Sequence, residues 1–111
     1  MNAVELADVL ARRGRTAEPL NEPHYEEFLR VEALSAGVYV LPAGGTDTQQ
    51  PHAEDEVYLV LRGQAVVHVA GEDRPVQPGT FMFVAAGAEH RFHSITEELE
   101  LLVVFAPAET A

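Results

Sequence analysis

One segment of this chain opens with side chains able to hold a metal ion and continues as an apolar run. It reads Gln50-Pro51-His52-Ala53-Glu54-Asp55-Glu56-Val57-Tyr58-Leu59-Val60-Leu61-Arg62-Gly63. Side chains along a strand alternate faces with a period of two, so Gln50, His52, Glu56 and Tyr58, which share one parity, are expected on the same face. Imidazole suits Zn, Cu, Fe and Ni, whereas carboxylate and amide oxygens suit harder ions such as Mn. Together they make a partial coordination sphere. A further ligand has to come from elsewhere, and His90 is the candidate, because Gly87 just before it lets the backbone swing inward. Tyr58 is read as a cavity-lining side chain beside these groups.

Other residues with chemical potential read more plainly. His68 sits inside a valine-rich strand and is expected in the core or cavity. Phe81, Phe83 and Phe92 are expected in the core, Phe92 next to the cavity. His93 has the opposite parity to His90 and is expected to face outward. His24, Glu54 and Asp55 are read as solvated, and Ser94 has no evident base partner for a nucleophilic role.

The composition narrows the chemistry. The chain has 111 residues, enough for one domain with one core. Its formal net charge is −11, and every basic side chain is arginine. Nucleic acid and anionic membrane surfaces both require a basic patch and are not expected partners. The absence of lysine removes Schiff-base chemistry, and the absence of cysteine removes thiol nucleophiles, disulfides and thiolate metal sites. There is neither a signal-peptide pattern at the N-terminus nor a long apolar run, and a cytoplasmic location is expected.

The elements that must position these residues are mostly strands. Val4 to Arg13 reads as a short helix with an apolar stripe of Val4, Ala7, Leu10 and Ala11, stopped by Gly14. Thr16 to Glu27 reads as a connecting segment. Strands are expected over Leu29–Leu34, Gly37–Leu41, Glu56–Leu61, Gln64–Ala70, Thr80–Val84, His90–His93 and Leu99–Phe105. Pro78-Gly79 suits the centre of a type II turn. Many short strands at even spacing indicate an all-β sandwich or barrel. Residues 1–29 form the helix and connecting segment, and residues 30–111 the β-barrel, within one domain overall. Leu102 and Val104 alternate with Leu99, Leu101, Val103 and Phe105, so the outer face of that strand needs a cover, from the helix or from a second subunit.

The spacing of both chemical segments resembles that of the cupins. The first cupin motif is a glycine, five residues, His-x-His, three or four residues, Glu, six residues and a glycine. Here Gly44, His52, Glu56 and Gly63 keep every interval, with Gln50 in place of the first histidine. In the second motif Gly79, Gly87 and His90 keep the intervals, with Ala85 in place of proline and Ser94 in place of asparagine. The resemblance covers roughly residues 30 to 106. It implies a double-stranded β-helix, the cupin jelly-roll barrel, usually dimeric, with one divalent transition metal (Zn, Fe, Mn or Ni) at its mouth. The family's ligand positions correspond to Gln50, His52, Glu56 and His90. Gln49 is the rival to Gln50 if Pro51 shifts the register; spacing and parity favour Gln50.

Three functions are compatible with this reading. The first is a mononuclear-metal dioxygenase, isomerase or lyase acting on a small molecule in the barrel cavity; this leans on analogy of fold. The second is a non-catalytic, metal-dependent small-molecule-binding protein. In the third the metal is vestigial or structural, with Gln50 in place of histidine as its first sign.

Overall fold

A computed structural model of the chain describes residues 1–14 and 22–110. One helix, α1 (Leu6–Gly14), precedes six strands: β1 (His24–Val31), β2 (Leu34–Leu41), β3 (Asp55–Val69), β4 (Glu72–Val76), β5 (Phe81–Val84) and β6 (His90–Ala106). All pairings are antiparallel. The sheet order is β1-β2-β6-β3-β4, with β5 also pairing β3. The protein is all-β around one short helix.

Two long strands, β3 and β6, are the spine, and each is longer than the sequence suggests. The breaks expected at Arg62-Gly63 and between His93 and Leu99 are irregularities inside continuous strands, where the β3–β6 register shifts. Gly63 has φ +97°, and a Cβ there would stand 2.3 Å from the Glu98 carbonyl oxygen. The residue is glycine because two backbones meet at that point. Ser94 on the facing strand has φ 51°.

These irregularities reverse which parity faces the core. Before Gly63 the buried residues of β3 are Glu56, Tyr58 and Val60; after it they are Ala65 and Val67. On β6, His90 and Phe92 are buried before Ser94, and Ile95, Leu99, Leu101, Val103 and Phe105 after it. A one-residue shift moves a whole strand's side chains to the other face. His68, with the parity of Tyr58 but beyond the reversal, therefore points away from the cavity.

The hairpin after β3 turns at Ala70 (φ 48°) and Gly71 (φ 88°), so Glu72 and Asp73 begin β4 rather than a turn. Pro75 is tolerated there because β4 ends the sheet path. At Pro78-Gly79 the expected turn forms: Thr80 N–H donates to the Gln77 carbonyl at 2.9 Å, and Gly79 takes φ 93°. At the other end, His24 to Glu27, read as part of a connection, starts β1. Residues 16–21 of that segment lie outside the described residues.

The main core joins Tyr58, Phe92, Leu99, Leu101, Val103 and Phe105 with their neighbours. A smaller cluster lies under the helix, where Val9, with Leu6 and Leu10 beside it, packs on Val38, Val40 and Phe28. The stripe is thus Leu6–Val9–Leu10, at i, i+3 and i+4, and Val4 lies before the helix and exposed. Arg12 bonds Glu26 on β1 and ties the helix down.

The outer face is covered only in part. Cross-strand neighbours Val38, Leu102, Leu59 and Phe81 form one apolar row, and Ala36, Val104, Val57 and Phe83 form another. The helix covers the Val38 end. Phe81 and Phe83 at the other end are 66% and 55% exposed, and neither belongs to the core. The core-facing residues of β5 are Met82 and Val84, paired with Tyr58 and Glu56.

Candidate metal centre and pocket

Residues 46–54 form a loop that leads into β3, and this loop meets the turn before β6. Gly87 N–H donates to the His52 carbonyl at 2.7 Å, and Ala86 N–H donates to Asp55 Oδ1 at 2.9 Å. These two bonds hold His52 and His90, which lie far apart in sequence, at one end of the barrel. Their ring centroids are 5.4 Å apart. Glu56, at the start of β3, supplies a carboxylate between them. Ligand atoms of His52, Glu56 and His90 all lie within 4.8 Å of one another, a group able to hold a metal ion.

The fourth polar group in this cluster belongs to Gln49. Gln50 is exposed, whereas Gln49 Oε1 lies 3.3 Å from both His52 Nε2 and His90 Nε2 and accepts from the Tyr58 hydroxyl at 2.9 Å. The strand parity that favoured Gln50 does not operate here, because β3 begins only at Asp55. The loop is shaped instead by Asp47, which is 5% exposed. Its carboxylate accepts from Gln49 N–H, Gln49 Nε2, the Tyr39 hydroxyl and Phe92 N–H. The first of these is the local Asx turn that short acidic side chains favour.

The proton arrangement makes the cluster a fit for a cation. His90 Nδ1 lies 3.0 Å from the Ala88 carbonyl, an acceptor only, so with a cation in the cluster the neutral ring would keep its proton there and offer the Nε2 lone pair. His52 Nδ1 has the Glu109 carboxylate as an ion-pair neighbour at 3.3 Å. Gln49 Nε2 donates to Asp47 Oδ2 at 2.7 Å, which turns the amide oxygen toward the rings. Among the described residues neither oxygen of Glu56 has an aligned hydrogen-bond partner, although His90 Nε2 approaches Oε1 at 3.1 Å. Two ring nitrogens, a carboxylate and an amide oxygen therefore converge as electron-pair donors. A buried carboxylate with no well-aligned donor is costly unless something positive faces it, which here is either charged His90 or a metal ion. Burial alone would lower the His90 pKa, but the Glu56 carboxylate and the Ala88 carbonyl outweigh it, and the pKa lies above the ordinary imidazole value.

Beside the cluster is a pocket of about 180 Å³. Tyr25, Tyr39 and Tyr58 line it, with Val103 and Phe105 as apolar surface and Glu109 as a second acidic residue besides Glu56. The Tyr25 hydroxyl is buried with no hydrogen-bond partner among the described residues. Burial, reinforced by nearby carboxylates, raises the pKa of all three phenols, so they stay protonated donors near neutral pH.

Of the other residues singled out in the sequence, Tyr58 lines the pocket and is fully buried. Phe92 does not line it; it packs edge-on against Tyr58, centroids 5.1 Å apart, and supports that ring. His68 is absent from the lining. It joins a surface bridge in which Asp73 Oδ1 lies 2.9 Å from both His68 Nδ1 and His93 Nε2. These contacts hold the Asp73 carboxyl below its ordinary pKa. His24 is exposed, as expected. Glu54 is buried rather than solvated and accepts from the Thr110 hydroxyl at 2.9 Å. Tyr25, Tyr39, Asp47 and Glu109 come from the segment read as a connection, a strand, a loop and the C-terminal tail, and only their convergence in the fold distinguishes them.

Comparison with known proteins agrees with the fold. The sequence pattern described as "Cupin domain" matches residues 37–105. An uncharacterized protein of Streptomyces coelicolor is 44% identical over 110 residues, covering 99% of this chain and all of its own length. A crystal structure from Thermus thermophilus superposes with a TM-score of 0.78 at 27% identity, covering 97% of this chain and 99% of that one. The DMSP lyase DddQ of Ruegeria pomeroyi has a TM-score of 0.73 at 22% identity over 78% of this chain and 47% of its own, a likeness of fold alone.

Proposed function

Because the chain belongs to the cupin family, we propose that it binds one divalent transition metal through His52, Glu56, His90 and Gln49 and acts on a small molecule held in the adjoining pocket. The observation that carries this is the convergence of two ring nitrogens, a carboxylate and the Gln49 amide oxygen, with the outer nitrogens of His90 and Gln49 engaged by the Ala88 carbonyl and Asp47. Zn, Fe, Mn and Ni are all compatible with this mixed nitrogen and oxygen set. One carboxylate against a divalent ion leaves a net positive centre, and the chemistry it would supply is polarisation of a substrate oxygen.

The lining narrows the substrate. Among the described residues no arginine lines the pocket, and the chain has no lysine. Glu109 adds a second carboxylate beside the centre, which weakens its pull on an anionic substrate. The Tyr25 hydroxyl offers a donor, those of Tyr39 and Tyr58 being given to Asp47 and Gln49, and all three rings offer faces. A compact, uncharged molecule with an acceptor oxygen suits this surface, with the unpartnered Tyr25 hydroxyl as its anchor. Dioxygenase, isomerase and lyase chemistry are the reaction classes to screen. Oxygen uptake and product formation with small phenols, diketones and organosulfur compounds, under each metal in turn, test the enzymatic reading. Tight binding without turnover under every metal would replace it with the second reading, a metal-dependent binding protein. That reading is favoured by the three protonated phenols, which are poor bases.

The exposed row ending in Phe81 and Phe83 supports a homodimer that buries this face. Sedimentation of the chain against its Phe81→Glu/Phe83→Glu variant tests it: the variant should be monomeric and the parent not.

A further inference from the structure

The last described residues cross the mouth of the pocket. Glu109 N–H donates to Ser35 Oγ at 2.9 Å, and Arg30 Nη2 donates to the Glu109 carbonyl at 2.8 Å. One residue on, the Thr110 hydroxyl donates to Glu54 Oε2 at 2.9 Å. The anchors come from β1, β2 and the loop before β3, so the tail is held at three points on different elements. Ser35 is fully buried and Glu54 nearly so, which makes these fixed attachments. Between them the side chain of Glu109 turns inward, lines the pocket and places Oε2 3.3 Å from His52 Nδ1.

The two histidines of the cluster are held differently. His90 lies on β6, and its Nδ1 is fixed by the carbonyl of Ala88, two residues away in its own turn. His52 lies in a loop outside any strand; its Nδ1 has the Glu109 carboxylate as an ion-pair neighbour at 3.3 Å, and its Nε2 faces the Gln49 amide oxygen at the same distance. Phe105 packs edge-on against the ring at a centroid distance of 4.9 Å and restrains its plane, but carries no acceptor. Without the carboxylate at Nδ1 the Gln49 amide oxygen would draw the proton toward Nε2, and a proton there would block that atom as a donor to a metal.

Resting on the metal-centre reading above, we infer that Glu109 is a positioning residue, delivered by the C-terminal strap, that holds the His52 proton on Nδ1 and so keeps Nε2 facing the cluster. Carboxylates that orient metal-bound histidines in this manner typically change metal affinity by about 10–100-fold when removed. The site is thus completed by a residue distant in sequence from both segments that supply its ligands.

The test uses the full chain with Glu109→Ala and Glu109→Gln. Nitrogen-15 NMR of the imidazoles in metal-free protein reads the His52 tautomer directly. Zinc added as a simple salt, in competition with a chelator, reads affinity, and thermal melting of the metal-free proteins reads folding. In the parent His52 should carry its proton on Nδ1. Glu109→Ala should mix the tautomers and weaken zinc binding by roughly 10–100-fold. Glu109→Gln, whose amide oxygen can still accept from Nδ1, should largely keep the tautomer and lose less than about tenfold. An unchanged tautomer in folded Glu109→Ala overturns the inference, as does a parent His52 protonated on Nε2. If Glu109→Ala fails to fold, Glu109→Gln decides: an Nε2-protonated His52 in that variant also overturns it. A parent that takes up no zinc yet shows the expected tautomers defeats the metal-centre reading while leaving the positioning role supported.

Discussion

Asp47 and Gln49 form a short lever between the barrel wall and the candidate metal centre: Gln49 Nε2 donates to Asp47 Oδ2 at 2.7 Å, and the opposite end of the same amide faces His52 and His90. The carboxylate also accepts from Tyr39 and from the backbone of Phe92, so the lever is fixed to β2 and β6 at once. Gln49 is a reliable oxygen donor because its amide nitrogen is already engaged.

Substitutions at the two adjacent glutamines should therefore differ sharply. Gln49→Ala should weaken zinc binding by about tenfold, roughly 1.4 kcal/mol, and Gln49→His should tighten binding of the later first-row metals. Gln50→Ala should leave affinity unchanged. Competition titrations on the three variants check this, and equal effects at both positions would show that the loop does not present Gln49 as described.

Removing Asp47 should act on stability as well. Asp47→Ala leaves the Tyr39 hydroxyl, the Gln49 amide and the Phe92 N–H without their acceptor, and each buried orphan costs about 1–3 kcal/mol. A loss of about 3 kcal/mol or more in urea unfolding is expected. A loss under about 1 kcal/mol would mean that water replaces the carboxylate readily.

The raised His90 pKa gives the metal-free and zinc-bound proteins opposite responses to pH. In the metal-free protein charged His90 is stabilised by Glu56 relative to the unfolded chain. That contribution is fully present below the unfolded imidazole value of about 6.5 and is lost as pH rises through the higher folded-state value. Zinc requires the neutral ring, so its stabilisation grows over the same interval. Melting curves between about pH 6 and pH 9, with chelator or with zinc, should diverge as pH rises. Curves that stay parallel would show that His90 does not couple to the metal.

Gly63 should tolerate no side chain. Gly63→Ala combines a Cβ against the Glu98 carbonyl with a left-handed backbone angle and should destabilise by about 2–3 kcal/mol, measured by urea unfolding. Full stability would mean that the β3–β6 junction yields where the fold requires it to be close.

Much of the fold was legible in the residues themselves. The intervals linking Gly44, His52, Glu56 and Gly63, and Gly79, Gly87 and His90, identified the two segments that meet. Glu56 and Tyr58 followed from parity because they lie in a regular strand. Parity failed in two physical circumstances. Gln49 and Gln50 lie in a loop shaped by an Asx turn, where no period of two exists. His68 lies beyond the irregularity at Gly63, which exchanges the faces of the strand. Phe81 and Phe83 were misplaced because hydrophobicity alone does not separate a core from an uncovered outer face. Glu109 carried no local pattern, since its role depends on the tail returning across the barrel mouth.

The central claim is that His52, Glu56 and His90, with Gln49, hold a single metal ion. It is tested most directly by elemental analysis of protein purified without added metal, comparing the parent with His52→Ala and His90→Ala. The structure predicts close to one equivalent of a divalent transition metal in the parent and its loss in both variants. A metal content that is the same in all three proteins would contradict it.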